Sequence, residues 1–482
     1  MRHLMLATLL STIVPATMAH ASPDARADTG PLALDQVHLV DVEQARTSPP
    51  RCVRIEHGRL ARIDDAGDPA CLRAARRIDL GGRYLLPGLV DMHAHHTLGP
   101  PEIVGEGADM VVQALPYDAI AAHNARRLVA FGVTTIRNPG GDLAAAARYR
   151  DALARGALTG PEAFDAGPVI NNAELPGLAV AVHDAHEMAR VVEAQVEAGA
   201  DWIKLYTGLS PALLQAGIDA AHRHGRPAVA HLDGVAWPDA LAMGLDGIVH
   251  LMPLSPDLLD APQRAAWQAS SRGATWSFFE WWEHFDPDGP GGDALVAAFE
   301  RHRPVFDATL VAFHAAFVQD DPDNPYRTDA RELAPARLLA SWNGGFTFAM
   351  GWEPGDFVRA RAIWPKVQRM AVRLHATGAR MTVGTDMGNP WVAPGISLHR
   401  EMQLLAEAGV PAPQVLLAAT RNGAEALGAG TRLGRIAEGY EADLLVLDAN
   451  PLDDITHTRG IHAVVLDGRY LDRATLDRFT GE

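Results

Sequence analysis

The middle of this 482-residue chain repeats one short pattern, in which a helix-like stretch ends at a glycine and a strand-like stretch follows. Glycine tolerates the left-handed backbone that closes a helix, so each such glycine marks a helix end. Helices that alternate with strands in this way are typical of βα units on a parallel sheet. The pattern recurs at Gly132, Gly199, Gly225, Gly244 and Gly378.

The repeat predicts an α/β protein. Residues 88–395 have room for eight units, because a closed (β/α)8 barrel averages about 250 residues. The repeat by itself leaves open whether the sheet is open or closed. Both chain ends are instead rich in short strand-like runs separated by turn residues. We therefore expect a small β-sandwich domain built from residues 31–87 and 430–475, with the barrel domain, residues 88–429, inserted between its parts.

Two long insertions interrupt the repeat, near 255–300 and 319–360, and both contain several tryptophans. Long loops in a compact enzyme are usually lids or binding loops, which predicts that these segments cover a site. The alternative is packing on the outer surface of the barrel, since tryptophan mostly fills cores. The glycine-rich stretch 289–292 lacks the residues of a phosphate-binding loop and is interpreted as an ordinary loop.

Residues 1–21 have the parts of a secretory signal: a positive start at Arg2, an apolar run over 4–14 and small residues before a cleavage point after Ala21. This predicts a periplasmic or secreted protein. The apolar run is shorter than the roughly 20 residues of a spanning helix, and we expect no membrane span after removal of the signal. Cys52 and Cys71 form a disulfide or remain two buried thiols; sequence alone leaves both open.

The net charge of −17 and the hydrophobic fraction of 48% narrow the class of protein and of partner. A chain this acidic repels phosphate, so nucleic acid is not expected as a partner. The apolar fraction fits a large core and argues against disorder. With two cysteines and 21 histidines, imidazole is the expected metal ligand. A small-molecule substrate is the expected partner, and a homo-oligomer stays open.

Candidate metal ligands stand at the predicted ends of five strands. His93 and His95 lie in the run PGLVDMHAHH, and residues i and i+2 of a strand face the same side. Four further candidates follow the glycine markers by five to eight residues: Lys204, His231, His250 and Asp386. In a parallel barrel all strand carboxyl ends meet at one face, which carries the site. Each residue alone has a plain structural explanation, but their matched positions together predict one metal site.

The lysine needs its own explanation. An ammonium group beside two divalent cations would be repelled, so Lys204 must lose its proton or react with CO₂. A carbamate on its nitrogen is an anion with two oxygens and can bridge two metal ions. We therefore expect a carboxylated Lys204 and two divalent metal ions, with zinc as the expected ion, although such ligands also accept manganese, iron or cobalt.

The motifs also occur in a recognisable order. The strings LLPGLVDMHAH, IKLYTG, AHLDG, IVHL and VGTDMG and the tail LGRIAEGYEADLLVLDANPLDDI resemble the amidohydrolase superfamily over nearly the whole mature chain. The branch that it most resembles contains imidazolonepropionase-like and prolidase-like enzymes with two metals. The resemblance implies a TIM-type barrel beside a small sandwich. It also implies a first metal on His93, His95 and Asp386, a second on His231 and His250, and a bridging, carboxylated Lys204.

Three positions depart from the prolidase-like pattern. The stretch 169–173 lacks a glycine-rich segment with a histidine, and Asn138 stands where relatives commonly have an acid. Asp233 replaces a tyrosine that binds a substrate carboxylate in several relatives. These changes put dipeptidase specificity in doubt, and an acid at 233 favours a substrate amine by simple charge. Tyr206 and His183 are further candidates for contacting the substrate.

The expected reaction is hydrolysis of an amide C–N bond in a peptide or an N-acyl amino acid-like substrate. A hydroxide that bridges the two metals would attack the carbonyl, with Asp386 as general base and then general acid. A lactone or an ester is the alternative substrate, because the same hydroxide attacks any acyl compound. A third hypothesis is a binding protein that only grips a ligand through the metals; Asp386 argues against it, since a binder needs no proton shuttle.

Overall fold

The computed structural model describes residues 30–105 and 111–481, so the predicted signal segment, residues 1–21, lies outside the described residues. The strands of the described part are β1 (Leu32–Asp41), β2 (Arg46–Glu56), β3 (Arg59–Asp65), β4 (Arg76–Pro87), β5 (Leu89–Asp91), β6 (Glu102–Val104), β7 (Val111–Gln113), β8 (Val133–Asn138), β9 (Glu162–Asp165), β10 (Val169–Asn171), β11 (Ala179–Ala181), β12 (Ile203–Leu205), β13 (Ala228–Ala230), β14 (Gly247–Val249), β15 (Val305–Asp307), β16 (Arg380–Thr382), β17 (Leu444–Leu447), β18 (Ile461–Leu466) and β19 (Arg469–Asp472).

The helices of the same residues are α1 (Pro69–Leu72), α2 (Asp118–Ala130), α3 (Leu143–Ala154), α4 (Ala185–Glu197), α5 (Pro211–Arg223), α6 (Trp237–Ala242), α7 (Ala261–Ser270), α8 (Ser277–His284), α9 (Pro290–His302), α10 (Leu310–Phe317), α11 (Pro325–Leu333), α12 (Ala336–Asn343), α13 (Pro354–Ala376), α14 (Ile396–Ala408), α15 (Ala412–Leu417), α16 (Gly423–Ala426) and α17 (Arg473–Gly481). No helix among the described residues combines the length and the apolar character that crossing a membrane requires.

The two chain ends meet in one seven-stranded sheet, in the order β19-β18-β17-β4-β1-β2-β3. Apolar side chains from both ends, Leu34 and Val465 among them, pack into one buried cluster. The β domain is therefore built from both ends, but its strands form one continuous sheet. The register of β1 against β2 shifts between Leu34 and Val37. Such a bulge bends a strand, so a single sheet can wrap part of its own apolar face.

A disulfide between Cys52 in β2 and Cys71 in α1 fastens the short first helix to this sheet, with the two Cα atoms 6.3 Å apart. Of the two alternatives that the sequence leaves open, a disulfide or two buried thiols, the structure has the disulfide. Both sulfur-bearing side chains are fully buried beside Ala33 in a small cluster of their own.

The middle of the chain forms two parallel sheets, β5-β8-β9 and β11-β10-β12-β13-β14-β15-β16. Neighbouring strands in both sheets run parallel. The glycines of the sequence repeat all have positive φ, from +66° to +99°, and each closes a helix before a strand. The predicted α/β class, with parallel strands and a separate β domain, is confirmed.

The two insertions are mostly helical. The first, between β14 and β15, contains α7, α8 and α9, and the second, between β15 and β16, contains α11, α12 and the start of α13. The interpretation of 289–292 as a loop is wrong, because α9 begins at Pro290. Proline favours the first helical position, since its fixed φ suits a helix and its missing N–H has no intrahelical partner there.

Candidate metal centre

The predicted metal ligands lie at the carboxyl ends of the parallel strands. His93 and His95 follow β5, Lys204 lies in β12, His231 follows β13, His250 follows β14, and Asp386 follows β16 by four residues. The strands run parallel, so their carboxyl ends share one edge of the fold, where α/β proteins place their sites.

Three of these residues form a buried cluster. His93, His95 and Asp386 each offer one ligand atom within 4.8 Å of the others. Asp386 Oδ1 lies 3.3 Å from Nε2 of His93 and 3.3 Å from Nε2 of His95. Two imidazole nitrogens and a carboxylate oxygen at this spacing are suitable ligands for one divalent metal ion.

Each histidine of the cluster is oriented through its other ring nitrogen. Nδ1 of His95 donates to the carbonyl oxygen of Gly140 at 2.7 Å, and Nδ1 of His93 donates to Oδ2 of Asp307 at 2.8 Å. Because each proton is on Nδ1, the lone pair of Nε2 is free to bind a metal ion. Asp307 is held in turn by the buried Arg137, whose Nη2 donates to Oδ1 at 2.9 Å.

The two remaining histidines extend the cluster. The ring of His250 lies 4.6 Å from that of His93 and 4.4 Å from that of His231, between centroids. Nδ1 of His250 lies 2.7 Å from Oγ1 of Thr309 and 3.9 Å from Oδ2 of Asp386. Nδ1 of His231 is buried and has no hydrogen-bond partner within the described residues. A buried, unpaired imidazole nitrogen is costly, and a metal ion would satisfy it.

Lys204 lies in the same buried region, with 2% of its surface exposed. Burial lowers the pKa of its amine to about 7, against the charges of Asp307 and Asp386, which raise it. At that pKa a substantial fraction of the amine is uncharged near neutral pH. The uncharged amine is the form that reacts with CO₂, so the environment suits the predicted carbamate.

The protonation states of the other ligands also suit a metal ion. Burial lowers the pKa of His93 and of His250 well below the usual value, and lowers that of His231 to about 3. These imidazoles are therefore neutral near pH 7, as metal binding requires. Burial alone would raise the pKa of Asp386, but His93 and His95 lower it overall, so its carboxylate stays ionised.

Two of the predicted ligands lie in strained backbone. His250 and Asp386 have φ of +66° and +63°, a region that non-glycine residues rarely occupy. Such strain costs about 1–3 kcal/mol per residue and is found mostly at functional sites. Gly384, two residues before Asp386, also lies very close to His93, which follows β5. A Cβ added to Gly384 would lie 2.7 Å from Cβ of His93.

The carboxylate of Asp91 joins the segment that contains His93 to the segment that precedes Asp386. Its carboxylate accepts hydrogen bonds from the backbone N–H of His93 at 3.0 Å and from the N–H and hydroxyl of Thr385 at 3.1 and 2.7 Å. Burial raises the pKa of Asp91 to about 7. The hydrogen bonds of Asp91 fix the position of Thr385, the residue before Asp386, relative to the histidine pair.

The three predicted substrate contacts lie in different surroundings. Tyr206 packs edge-on against His231, with ring centroids 5.0 Å apart, and burial raises its pKa above the usual range. Asp233 is partly exposed, and its charge contributes to raising the pKa of Tyr206. His183 has 73% of its side chain exposed and pairs with Glu187 at 3.1 Å. Among the described residues no contact joins His183 to the cluster.

Sequence reasoning missed Asp307 and its partner Arg137. Asp307 ends β15 and so occupies the same kind of strand-end position as the predicted ligands. The helix before that strand, α9, ends at Arg303 in a left-handed conformation, with φ +51°, where the other units have glycine. The glycine marker was therefore absent, and the pattern V-F-D at 305–307 was the remaining signal.

Comparisons with known proteins find similar amidohydrolases and related enzymes. A profile of the amidohydrolase family matches residues 353–471. The imidazolonepropionase of Acidiphilium cryptum (strain JF-5) is 26% identical over 415 residues, which cover 83% of this chain and 87% of that enzyme. Among solved structures, a bottromycin amidohydrolase has a TM-score of 0.67 at 25% identity and covers 95% of this chain and 91% of its own. A Xaa-Pro dipeptidase with bound methionine has a TM-score of 0.66 at 20% identity, covering 92% of this chain and all of its own (100%).

The fold, the site and these relatives define the class of protein: a metal-dependent hydrolase that acts on carbon–nitrogen bonds. As its motifs predict, the chain is similar to members of the amidohydrolase superfamily.

Proposed function

We propose that this protein hydrolyses the amide bond of a peptide or an N-acyl amino acid-like substrate at a centre of two divalent metal ions. The observation that carries the proposal is the buried cluster of His93, His95 and Asp386, with His250 in contact with it. Relatives named as a Xaa-Pro dipeptidase and an amidohydrolase support an amide or peptide bond as the target.

The proposal includes a closed eight-stranded barrel around the centre. Two features support closure. In the third unit of the repeat, β9 belongs to one parallel sheet and β10, which follows it after a short segment, belongs to the other. The other edges of the two parallel sheets are β5 and β16. The backbone N–H of Met92 donates to the carbonyl of Val383 at 2.8 Å, and this hydrogen bond joins the end of β5 to the end of β16.

The residues fit two metal ions. His93, His95 and Asp386 would hold the first, and His231 and His250 the second, with a carboxylated Lys204 between them. The unpaired, buried Nδ1 of His231 supports the second site, and the lowered pKa of Lys204 supports carboxylation. Zinc is the proposed ion for this set of nitrogen and oxygen ligands. When bound, the metal ions would make a shared water acidic at neutral pH and polarise the scissile carbonyl.

The chain's own groups supply the proton transfer and the substrate contacts. Asp386, kept ionised by its histidine neighbours, takes a proton from the attacking water and passes it to the leaving amine nitrogen. Tyr206 donates its phenolic hydrogen to the carbonyl oxygen as negative charge develops there. The carboxylate of Asp233 attracts a charged amine on the substrate.

A compartment outside the cytoplasm completes the proposal, periplasmic or secreted. The pairing of Cys52 with Cys71 supports it, because disulfides persist in oxidising compartments and are rare in the cytosol.

The test is a library of dipeptides, N-acyl amino acids and lactones offered to the metal-loaded protein, with a chelator-treated sample as control. The proposal expects cleavage of amides that depends on the metal. Cleavage of lactones alone would assign the centre to ester chemistry, and binding without any cleavage would make it a ligand-binding site.

A further inference from the structure

A chain of phenylalanine rings connects His250 to the two insertions. The ring of Phe313, in α10, meets that of His250 edge-on with centroids 5.9 Å apart. Phe278, in the first turn of α8, lies 5.2 Å from Phe313. Phe348, which precedes α13, lies 6.2 Å from Phe313 and 5.7 Å from Phe278. We call Phe278, Phe313 and Phe348 the phenylalanine wall.

The wall is fixed to the metal centre through α10. Thr309 is the residue before this helix, and its hydroxyl oxygen lies 2.7 Å from Nδ1 of His250. Phe313 follows Thr309 by four residues, so the two side chains are neighbours on one side of the helix. The element that orients His250 therefore also presents the wall beside it.

The two insertions that supply the rest of the wall are tied to each other. Arg272, before α8, donates to Oδ1 of Asp356 in α13 at 2.6 Å and to Oε1 of Glu280 in α8 at 2.7 Å. The indole N–H of Trp352 donates to the hydroxyl of Thr275 at 3.2 Å. Phe278 and Phe348 thus belong to one packed unit, so their relative position does not depend on a bound ligand.

The members of the wall differ in exposure. Phe313 is buried against its neighbours, with 2% of its surface exposed, whereas Phe278 and Phe348 each keep part of their surface accessible. Covering an accessible aromatic surface with an apolar group is favourable, because apolar surface is removed from water. Bringing a charged group there is unfavourable, because the group loses its hydration. Aromatic rings stack on such a surface with additional stabilisation.

We propose that the phenylalanine wall makes this enzyme selective for amides that carry a bulky apolar side chain, aromatic above all, beside the scissile bond. The inference rests on the proposed amide hydrolysis and adds the class of substrate to it. Phe278 and Phe348 are the specificity-determining residues, and Phe313 holds them beside His250 through its ring contacts.

The test uses the metal-loaded protein and two series of amides in which only one side chain changes, on either the acyl or the amine side of the bond. The side chains are those of phenylalanine, leucine, alanine and glutamate. We expect kcat/KM for phenylalanine to exceed that for alanine by about 10-fold or more in one of the series, and glutamate to be the poorest substrate.

The variants F278A and F348A should each reduce the phenylalanine-to-alanine ratio of kcat/KM by about fivefold, because each should lower kcat/KM for the phenylalanine substrate more than for the alanine substrate. F278L and F348L should keep most of the preference and show that the fold survives. V358A is the matched control, because Val358 is apolar and 62% exposed in α13 but outside the wall, and it should leave the ratio unchanged.

Equal rates for phenylalanine and alanine in both series, a preference for glutamate, or an equal loss on every substrate in F278A and F348A would overturn the inference while amide cleavage itself stands. If the wild-type protein cleaves no amide in the presence of metal, the proposed function fails and the inference falls with it.

Discussion

The buried pair of Arg137 and Asp307 gives the sharpest test of how the metal centre is supported. Neither side chain has any exposed surface, and Nη2 of Arg137 lies 2.9 Å from Oδ1 of Asp307. Arg137→Met would leave the carboxylate buried without its counter-charge. Removing one partner of a buried ion pair costs about 3–5 kcal/mol, so we expect the free energy of unfolding of the metal-free protein to fall by that amount.

The same substitution should weaken metal binding. Burial already raises the pKa of Asp307, and the Arg137 charge opposes that rise. Without Arg137 the carboxyl group binds a proton more readily, and the protonated form is a poorer acceptor for Nδ1 of His93. Loss of a group that orients a metal-binding histidine typically costs 10–100-fold in metal affinity, and we expect about that loss here.

Urea unfolding of the metal-free protein and titration with zinc measure the two effects. The double variant R137M/D307N removes both charges and serves as the control. It should recover much of the lost stability but not the metal affinity, because the amide that replaces the Asp307 side chain lacks the carboxylate that orients His93. If R137M unfolds within 1 kcal/mol of the wild type, which is about a factor of five in the unfolding equilibrium, the assignment of a buried charge pair is refuted.

Three further predictions concern the same centre and the β domain. Asp386→Asn should abolish turnover while leaving metal content largely unchanged, and full activity in that variant would rule out its proton-transfer role. Gly384→Ala should lower metal content, because the added Cβ would lie 2.7 Å from Cβ of His93 and must displace it; normal metal content by elemental analysis would contradict this. Replacing Cys52 and Cys71 together by serine should cost about 3 kcal/mol of unfolding free energy under oxidising conditions, from the short loop that they close, and an unchanged denaturation midpoint would disprove it.

The clustering of His93, His95 and Asp386 was predictable because it follows from topology. Once glycine-closed helices indicate a parallel sheet, the end of each strand points to the same edge, and a histidine or an acid found there belongs to a shared site. This reasoning found the cluster of His93, His95 and Asp386 and the contact with His250, across almost 300 positions of the chain.

The groups that hold those ligands were not predictable in the same way. Asp307 contacts His93 across 214 positions and Arg137 across 170, and both contacts depend on side-chain directions within the packed interior. No periodic pattern encodes such a pair. The packing of the two insertions against each other was not predictable for a related reason: it depends on pairs such as Arg272 with Asp356, which carry no local signal.

The strained backbone of the centre shows most clearly where local sequence stops being informative. Left-handed φ is normally marked by glycine or asparagine, yet here His250 and Asp386 adopt it. A glycine at either position would remove a side chain that the proposed metal centre needs, so the strain must be offset by neighbours. The backbone N–H of Asp386 donates to the carbonyl of His93 at 2.8 Å, and Thr309 pairs with the ring of His250. The conformations that place the ligands are therefore set by contacts between strands rather than by the residues that adopt them, which is why the tertiary structure had to supply them.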